Sequence, residues 1–367
     1  VKTAASADQH AECYSGADLG TLYGTGWTAT TDETHYPRIY AASGQMHNGK
    51  NEATGAYIAV PDTGTGISME MRYVRVEGIR FDMDCLALSY STGVDGASDP
   101  LANKSGLIVE SCLFRQLNDE SITGIMLSGW DVDVSAVQSI ARNNIFFGMA
   151  VGLGITVQIT AENVNTKINV LLQQNVGRDC GTGIIFGGYQ DTYTAEIVAT
   201  SANNAFFGGT TDYEEMTFCG TVTFTITQTN CSSADDTADD WGGAGNRINQ
   251  SATECFTSTT NLTPTEFGAL TRTAPRLSTV LTDALGNSRS NPTDRGAIQR
   301  TITDNSTHRA DAFLRGSSVA YETNKALTEA KAGALATAIN DACDSVSDLA
   351  FDNVSIHTSR NDQVAGS

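Results

Sequence analysis

Two groups of carboxylates stand close enough in the chain to act together. Asp82 and Asp84 are two residues apart, so on a β-strand both would point to one side. Paired carboxyls suit acid–base chemistry, one protonating a leaving group while the other activates water. Their place at the close of an apolar run reads instead as corner or solvated positions. The run Asp235, Asp236, Asp239 and Asp240 could hold a calcium ion with help from backbone carbonyls. It lacks the central Gly and closing Glu of the twelve-residue calcium loop, and a solvated acidic loop is the simpler reading. Calcium is the one cofactor the chain suggests. A third group is aromatic. Trp130 is flanked by Asp131 and Asp133, which together offer a ring for sugar stacking and carboxylates for hydroxyls. Tyr189 and Tyr193 follow a later apolar run and could extend such a glycan-binding face. Aromatics folded over the edge of a core would give the same pattern.

Other catalytic sets are missing from the sequence. The five histidines (His10, His35, His47, His308 and His357) have no flanking glycines and stand apart from one another. Arg75, Arg80, Arg115, Arg142 and Arg178 lie in the repeats without a shared frame position. There is no phosphate-binding loop, no G-x-S-x-G elbow and no H-E-x-x-H. Eight cysteines occur without a C-x-x-C pair, which argues against a zinc knuckle or a thioredoxin motif. Buried thiols are expected for most, and Cys219 with Cys231 is the one pairing the spacing suggests. Whether the chain is an enzyme stays open at this level, with the balance toward no.

The elements that would position these residues repeat. VRVEGIRF (74–81), LIVESCLF (107–114), SIARNNIF (139–146), NVLLQQNV (169–176), ATSANNAF (199–206) and FTITQTNC (224–231) lie over one another at spacings of 33, 32, 30, 30 and 25 residues. Their eighth position is Phe81, Phe114, Phe146, Val176, Phe206 or Cys231, always apolar. Small or amide residues recur just before it: Ser111, Asn143, Asn144, Gln173, Gln174, Asn203 and Asn204. A second apolar run closed by glycine follows several of them, as in ITGIMLSG, MAVGLGI and GTGIIFGG. Such units bury their apolar faces only against neighbours. The period predicts an all-β chain wound as a parallel β-helix, with Phe ladders inside and Asn or Gln ladders at corners. A two-sheet sandwich would share the short strands, but gives no reason for Phe to return at one frame position.

Around the repeats, residues 1–60 read as an N-terminal cap with first strands at RIYAA and AYIAV. Residues 61–300 read as coils, ending near 232, followed by an Asp- and Gly-rich loop at 233–250 and a turn-rich closing section. From 301 to 367 the composition shifts. A helix is expected over 321–346, with Leu335, Ile339, Ala342, Cys343 and Val346 on one stripe, and a strand over 351–359. This small C-terminal α/β appendage is a candidate for attachment or oligomerisation. Only 17% of the residues are charged, and the formal net charge is -20. That acidity argues against nucleic acid and anionic lipid as partners. No apolar run is long enough to span a bilayer.

The stretch TDALGNSR…DRGAIQ (282–299) resembles the closing D-x-x-G-x-x-R…G-A-x-E signature of right-handed parallel β-helix proteins of the pectate-lyase-like class. Asp283, Gly286, Arg289, Gly296 and Ala297 match, whereas Gln299 replaces an acidic residue and Arg295 an apolar one. The resemblance implies a virion or extracellular surface protein. One expectation is a non-catalytic spike, fibre or head-decoration protein that is a homo-oligomer. It would contact other virion or surface proteins through its C-terminal segment, and a cell-surface polysaccharide through its coils. The alternatives are a secreted carbohydrate-active enzyme and a bacterial adhesin fragment.

Overall fold

The computed structural model describes residues 10–300, apart from 25–30, 63, 70–71, 85–90, 97–105, 119–121, 131–132, 150–151 and 266–267. Short β-branched runs, those of sheet 1 mostly followed by a residue that accepts a left-handed backbone, wind the chain through three parallel sheets in turn. Sheet 1 has eight strands, from His10–Cys13 through Arg75–Glu77, Ile108–Glu110 and Asp133–Arg142 to Val222–Thr229. Sheet 2 has seven short strands, from Tyr57–Val60 to Ser232–Ser233. Sheet 3 also has seven, including Ile122–Trp130, Leu153–Ala161, Thr182–Gln190 and Thr211–Cys219. This is a parallel β-helix. The strands His10–Cys13, Arg38–Ala41 and Tyr57–Val60, expected within a cap, extend the same sheets.

The turn from sheet 1 to sheet 2 is built alike in successive coils. Gly78, Ser111, Asn143, Gln174, Asn203 and Asn230 all have positive φ there, between 52° and 70°. The next residue points inward, and in three coils it is Asn144, Asn175 or Asn204, each fully buried. These amides form a ladder. Asn144 Nδ2 donates to Asn175 Oδ1 at 3.0 Å, and Asn175 Nδ2 donates to Asn204 Oδ1 at 3.0 Å. Each ladder oxygen also accepts the backbone N–H one coil back, so no buried amide is left without a partner at these rungs.

Beyond the ladder the pairing register sets Ile58, Phe81, Phe114, Phe146, Gly177, Phe206 and Ser233 on one inward row. Phe81 stacks on Phe114 and Phe114 on Phe146, with ring centroids 4.8 and 5.0 Å apart. The frame expected from sequence is one residue off in the fourth coil, where Gly177 rather than Val176 takes the rung. In the last coil the offset is two residues, and Ser233, not Cys231, ends the row. Phe206 leans into the space above Gly177 and reaches Phe146 at 5.8 Å.

Facing the rings is a second row, Gly66, Gly93, Gly124, Gly154 and Gly183, one in each of the five inner strands of sheet 3. A Cβ at Gly124 would lie 2.7 Å from the Phe146 ring and 2.7 Å from the Gly154 oxygen. The rings therefore occupy the room that side chains on sheet 3 would need.

The last coil ends the stack in two ways. Glu215 takes the inward row that Leu127, Val157 and Phe186 hold in earlier coils, placing a charge where a further coil would have to pack. Trp241 covers Phe186 and Tyr213, edge to face, at 5.0 and 6.1 Å. The segment 233–250 is thus more than a loop. Gly245 (φ 76°) and Asn246 repeat the corner geometry, and Asn246 Oδ1 accepts the Cys231 N–H as the next ladder rung would.

The closing section 251–300 lies on the outer face of sheet 2. Phe256, Leu262, Leu270, Ala297 and Ile298 bury Leu113, Ile145, Phe147, Val176, Ala205 and Phe207. Two buried arginines pin it down. Arg289 donates to Asn143 Oδ1 and to the carbonyls of Gly296 and Ala297, and Arg295 donates to the Cys231 carbonyl and Ser232 Oγ. Burial pushes both guanidinium groups down to about 10, so both remain cations at neutral pH. Asp283 accepts four bonds, from the N–H groups of Leu285, Asn287 and Gln299 and from the Asn287 amide. Asp283, Arg289 and Arg295 therefore act as a clasp on the corner ridge.

Cys13, Cys112, Cys180, Cys231 and Cys255 are buried free thiols, while Cys219 is free and exposed. Cys219 and Cys231 do not pair, because Cys231 points inward and bonds to the Ser201 carbonyl at 3.6 Å. Cys85, Cys343 and the helix and strand expected after residue 320 lie outside the described residues.

Candidate functional site

The coil geometry sorts the sequence-derived candidates. Asp82 and Asp84 do not converge. Asp82 is buried on the outer face of sheet 2, held by forks from Arg80 (2.9 and 3.0 Å) and Arg115. Burial alone would raise its pKa, but the bonds from Arg115 and Arg80 outweigh it and hold the carboxyl below its usual range. Asp84 is exposed and accepts from Asn118. With its oxygens committed to two arginines, Asp82 is structural.

The acidic run is likewise divided. Asp235 turns back to cap the start of the last sheet 3 strand, accepting from Asp212 N at 2.8 Å and from Thr237. Asp236, Asp239 and Asp240 are exposed. Among the described residues no three His, Cys, Asp or Glu side chains form a group that could hold a metal ion. Asp212, next to Asp235, is buried, and that burial raises its carboxyl to about 7.

The aromatic candidates fare differently. Trp130 ends the strand Ile122–Trp130 and pairs with Thr160, which pairs in turn with Tyr189. Alternation along these strands sends Ser128, Trp130, Gln158, Thr160 and Tyr189 to the outer face of sheet 3, all half-buried. Trp130 and Tyr189 sit two strands apart on one row, about 10 Å by the inter-strand spacing, the reach of a disaccharide. The Trp130 Nε1–H is shielded and has no hydrogen-bond partner among the described residues. Tyr193 stands 39% exposed in the turn after Thr182–Gln190. Asp131 lies outside the described residues, and Asp133 opens the next strand of sheet 1.

A further concavity, on the outer face of sheet 1, escaped the sequence reading. It is an open groove of about 330 Å³. Its floor is Arg75, Ile108 and Ile140, which share one register row, and its walls are Tyr36, Tyr73 and Gln138, with Glu33 at the rim. Arg75 shares that row with Arg38, a regularity hidden by the unequal loops between them. Both guanidinium groups lie over tyrosines, Arg38 over Tyr40 at 4.4 Å and Arg75 over Tyr36 at 4.0 Å. Arg38 is also paired with Glu77. The T-H-Y-P-R-I-Y run carried a signal, since alternate Tyr and Arg on one strand must share a face.

No protein-family model matches the chain, and no curated protein is significantly similar to it.

Proposed function

We propose that the protein is a non-catalytic structural component of a virion, a spike, fibre or head-decoration protein, whose solenoid presents a face to host-surface glycan. The observation that carries the reading is the outer face of sheet 3, where Trp130 and Tyr189 flank Thr160 on one row beside Ser128 and Gln158. Aromatic rings interleaved with hydroxyls and amides fit the two sides of a sugar, apolar C–H faces and polar edges. A scaffold of stacked coils holds these side chains on rigid strands, so little ordering cost attaches to binding. Residues 301–367, with their helical stripe in sequence, serve attachment or self-association in this reading.

The test is a glycan screen with the full chain, followed by Trp130→Ala and Tyr189→Ala. Loss of either ring is expected to weaken binding by about 2 kcal/mol, roughly thirtyfold in Kd, with an unchanged circular dichroism spectrum and Tm. Binding that survives both substitutions removes this face from the reading. The virion assignment is checked separately by mass spectrometry of purified particles. Light scattering on the chain with and without residues 301–367 reads self-association. A monomer in both forms counts against the assembly role.

A further inference from the structure

The groove on sheet 1 contains a cation, Arg75, that forms no ion pair among the described residues, although Glu33 stands at the groove's rim. The Arg75 guanidinium carbon lies 4.0 Å from the centre of the Tyr36 ring, a cation–π contact that uses the face of the guanidinium and not its N–H groups. Among the described residues no carboxylate is within ion-pair distance of it, in a chain whose net charge is -20. Its row neighbour Arg38 has Glu77, and Arg142 and Lys167 on the same sheet have Glu110 and Glu196. Arg75 alone of these four is held by a ring and not by a carboxylate.

The wall of the groove shows a second oddity. Tyr73 has φ 57°, a left-handed conformation that a bulky side chain adopts at a cost in energy. One coil later the same frame position, two residues before the row of Arg75 and Ile108, is Gly106 with φ 83°. Glycine takes that conformation freely, so the backbone here gives no reason for tyrosine. What tyrosine adds is a ring at the groove wall, opposite an apolar floor of Ile108 and Ile140.

We infer that this groove binds a small ring compound bearing an oxyanion, with Arg75 as the fork for the anion and Tyr73 as the wall for the ring. Gln138 and Glu33 at the margin can meet hydroxyls, and the open groove of about 330 Å³ suits a ligand the size of a monosaccharide. A planar guanidinium accepts carboxylate and phosphate alike as two-point partners. The inference concerns a different sheet from the Trp130 face, and it stands or falls apart from that reading.

Calorimetric titration of the full chain with glucuronate, glucose 6-phosphate and glucose tests it at low salt. One or both anions are expected to bind at least about tenfold more tightly than glucose, with the stronger of the two identifying the oxyanion preferred. Arg75→Gln should abolish that preference, and Arg75→Lys should restore only part of it, because the point charge remains without the fork. Tyr73→Asn is the decisive variant. Asparagine tolerates the left-handed backbone, so the Tm should hold or rise while affinity falls about fivefold or more. The inference is overturned by equal binding of anion and glucose, by no saturable binding of either anion at millimolar concentration, or by Arg75→Gln and Tyr73→Asn proteins that bind like the parent. A Tyr73→Asn protein with lowered Tm also overturns it, since tyrosine would then have a structural reason to be there.

Discussion

The replacement of Gly177 by alanine tests whether the ring row is packed as tightly as the distances indicate. An added Cβ would stand 2.4 Å from Phe206 Cδ1, 2.6 Å from Cε1 and 3.2 Å from Cys180 Sγ, all side-chain atoms. The Phe206 ring has no room to retreat, because it already fills the space over Gly154 and Gly183, where a Cβ would come within 3.1 and 2.5 Å of it. Overpacking of this kind costs about 1–3 kcal/mol. The lower unfolded-state entropy of alanine offsets about 0.4–1 kcal/mol, leaving a net loss of about 1–2 kcal/mol. Phe206→Leu removes the clashing ring edge at a cost of its own, again about 1–2 kcal/mol. If the ring is the obstacle, the Gly177→Ala/Phe206→Leu protein should be at least about 1 kcal/mol more stable than the sum of the single changes. Equilibrium urea unfolding of all four proteins, followed by circular dichroism, measures the coupling. Additivity within about 0.5 kcal/mol would refute the reasoning, because the two sites would then not share one space.

Three more outcomes follow from the buried polar groups. Asn175→Ala takes the acceptor from the Asn144 N–H and Nδ2 and the side-chain donor from the Ala141 carbonyl and Asn204 Oδ1, which keeps only the residue 175 N–H, and should cost about 3 kcal/mol in urea unfolding; a loss below about 1 kcal/mol would mean that water replaces the ladder. His47 is buried, its Nε2 donating to the Ser111 carbonyl at 2.7 Å and its Nδ1 accepting the Gly49 N–H, and burial, with Arg80 adding to it, pushes its pKa down to about 4. The unfolded side chain takes up its proton near pH 6.5, so this stability is complete above that pH and is lost as the pH falls toward 4, by about 2–3 kcal/mol at pH 4.5. His47→Gln should flatten that part of the stability-versus-pH curve, and an unaltered curve would count against it. For Asp212 the sign is opposite: a carboxyl raised to about 7 makes the fold lose stability as pH climbs from about 4 through 7. Asp212→Asn should therefore stabilise the protein at pH 8 by about 1–3 kcal/mol and much less at pH 4.5, whereas a variant weaker than the parent at pH 8 would show that the carboxylate is needed ionised.

The coil was legible in the sequence because a β-helix stacks like on like. Each inward row repeats one residue type in one frame, so Phe81, Phe114, Phe146 and Phe206 or Asn143–Asn144 and Asn203–Asn204 announce it without knowledge of any contact. The left-handed corner and its amide ladder follow from asparagine's own conformational freedom. The triplets Thr65-Gly66-Ile67, Thr92-Gly93-Val94, Thr123-Gly124-Ile125 and Thr182-Gly183-Ile184 could have revealed the glycine row by the same logic.

Register was decided elsewhere. A one-residue change in a loop moves every later rung, and only the hydrogen-bonded pairing shows that Gly177 faces Phe146 and that Phe206 fills its place. The reach of residues 251–300 back onto sheet 2, with Arg289 bonded to Asn143 across 146 residues, has no periodic signal at all. Nor has the groove of Tyr36, Tyr73, Arg75, Ile108 and Gln138, whose members come from four successive passes of the chain. Local preference and repetition determined what each coil is. Which side chains meet across coils depended on stacking order and loop length, and that is where the clasp, the caps and the candidate sites were settled.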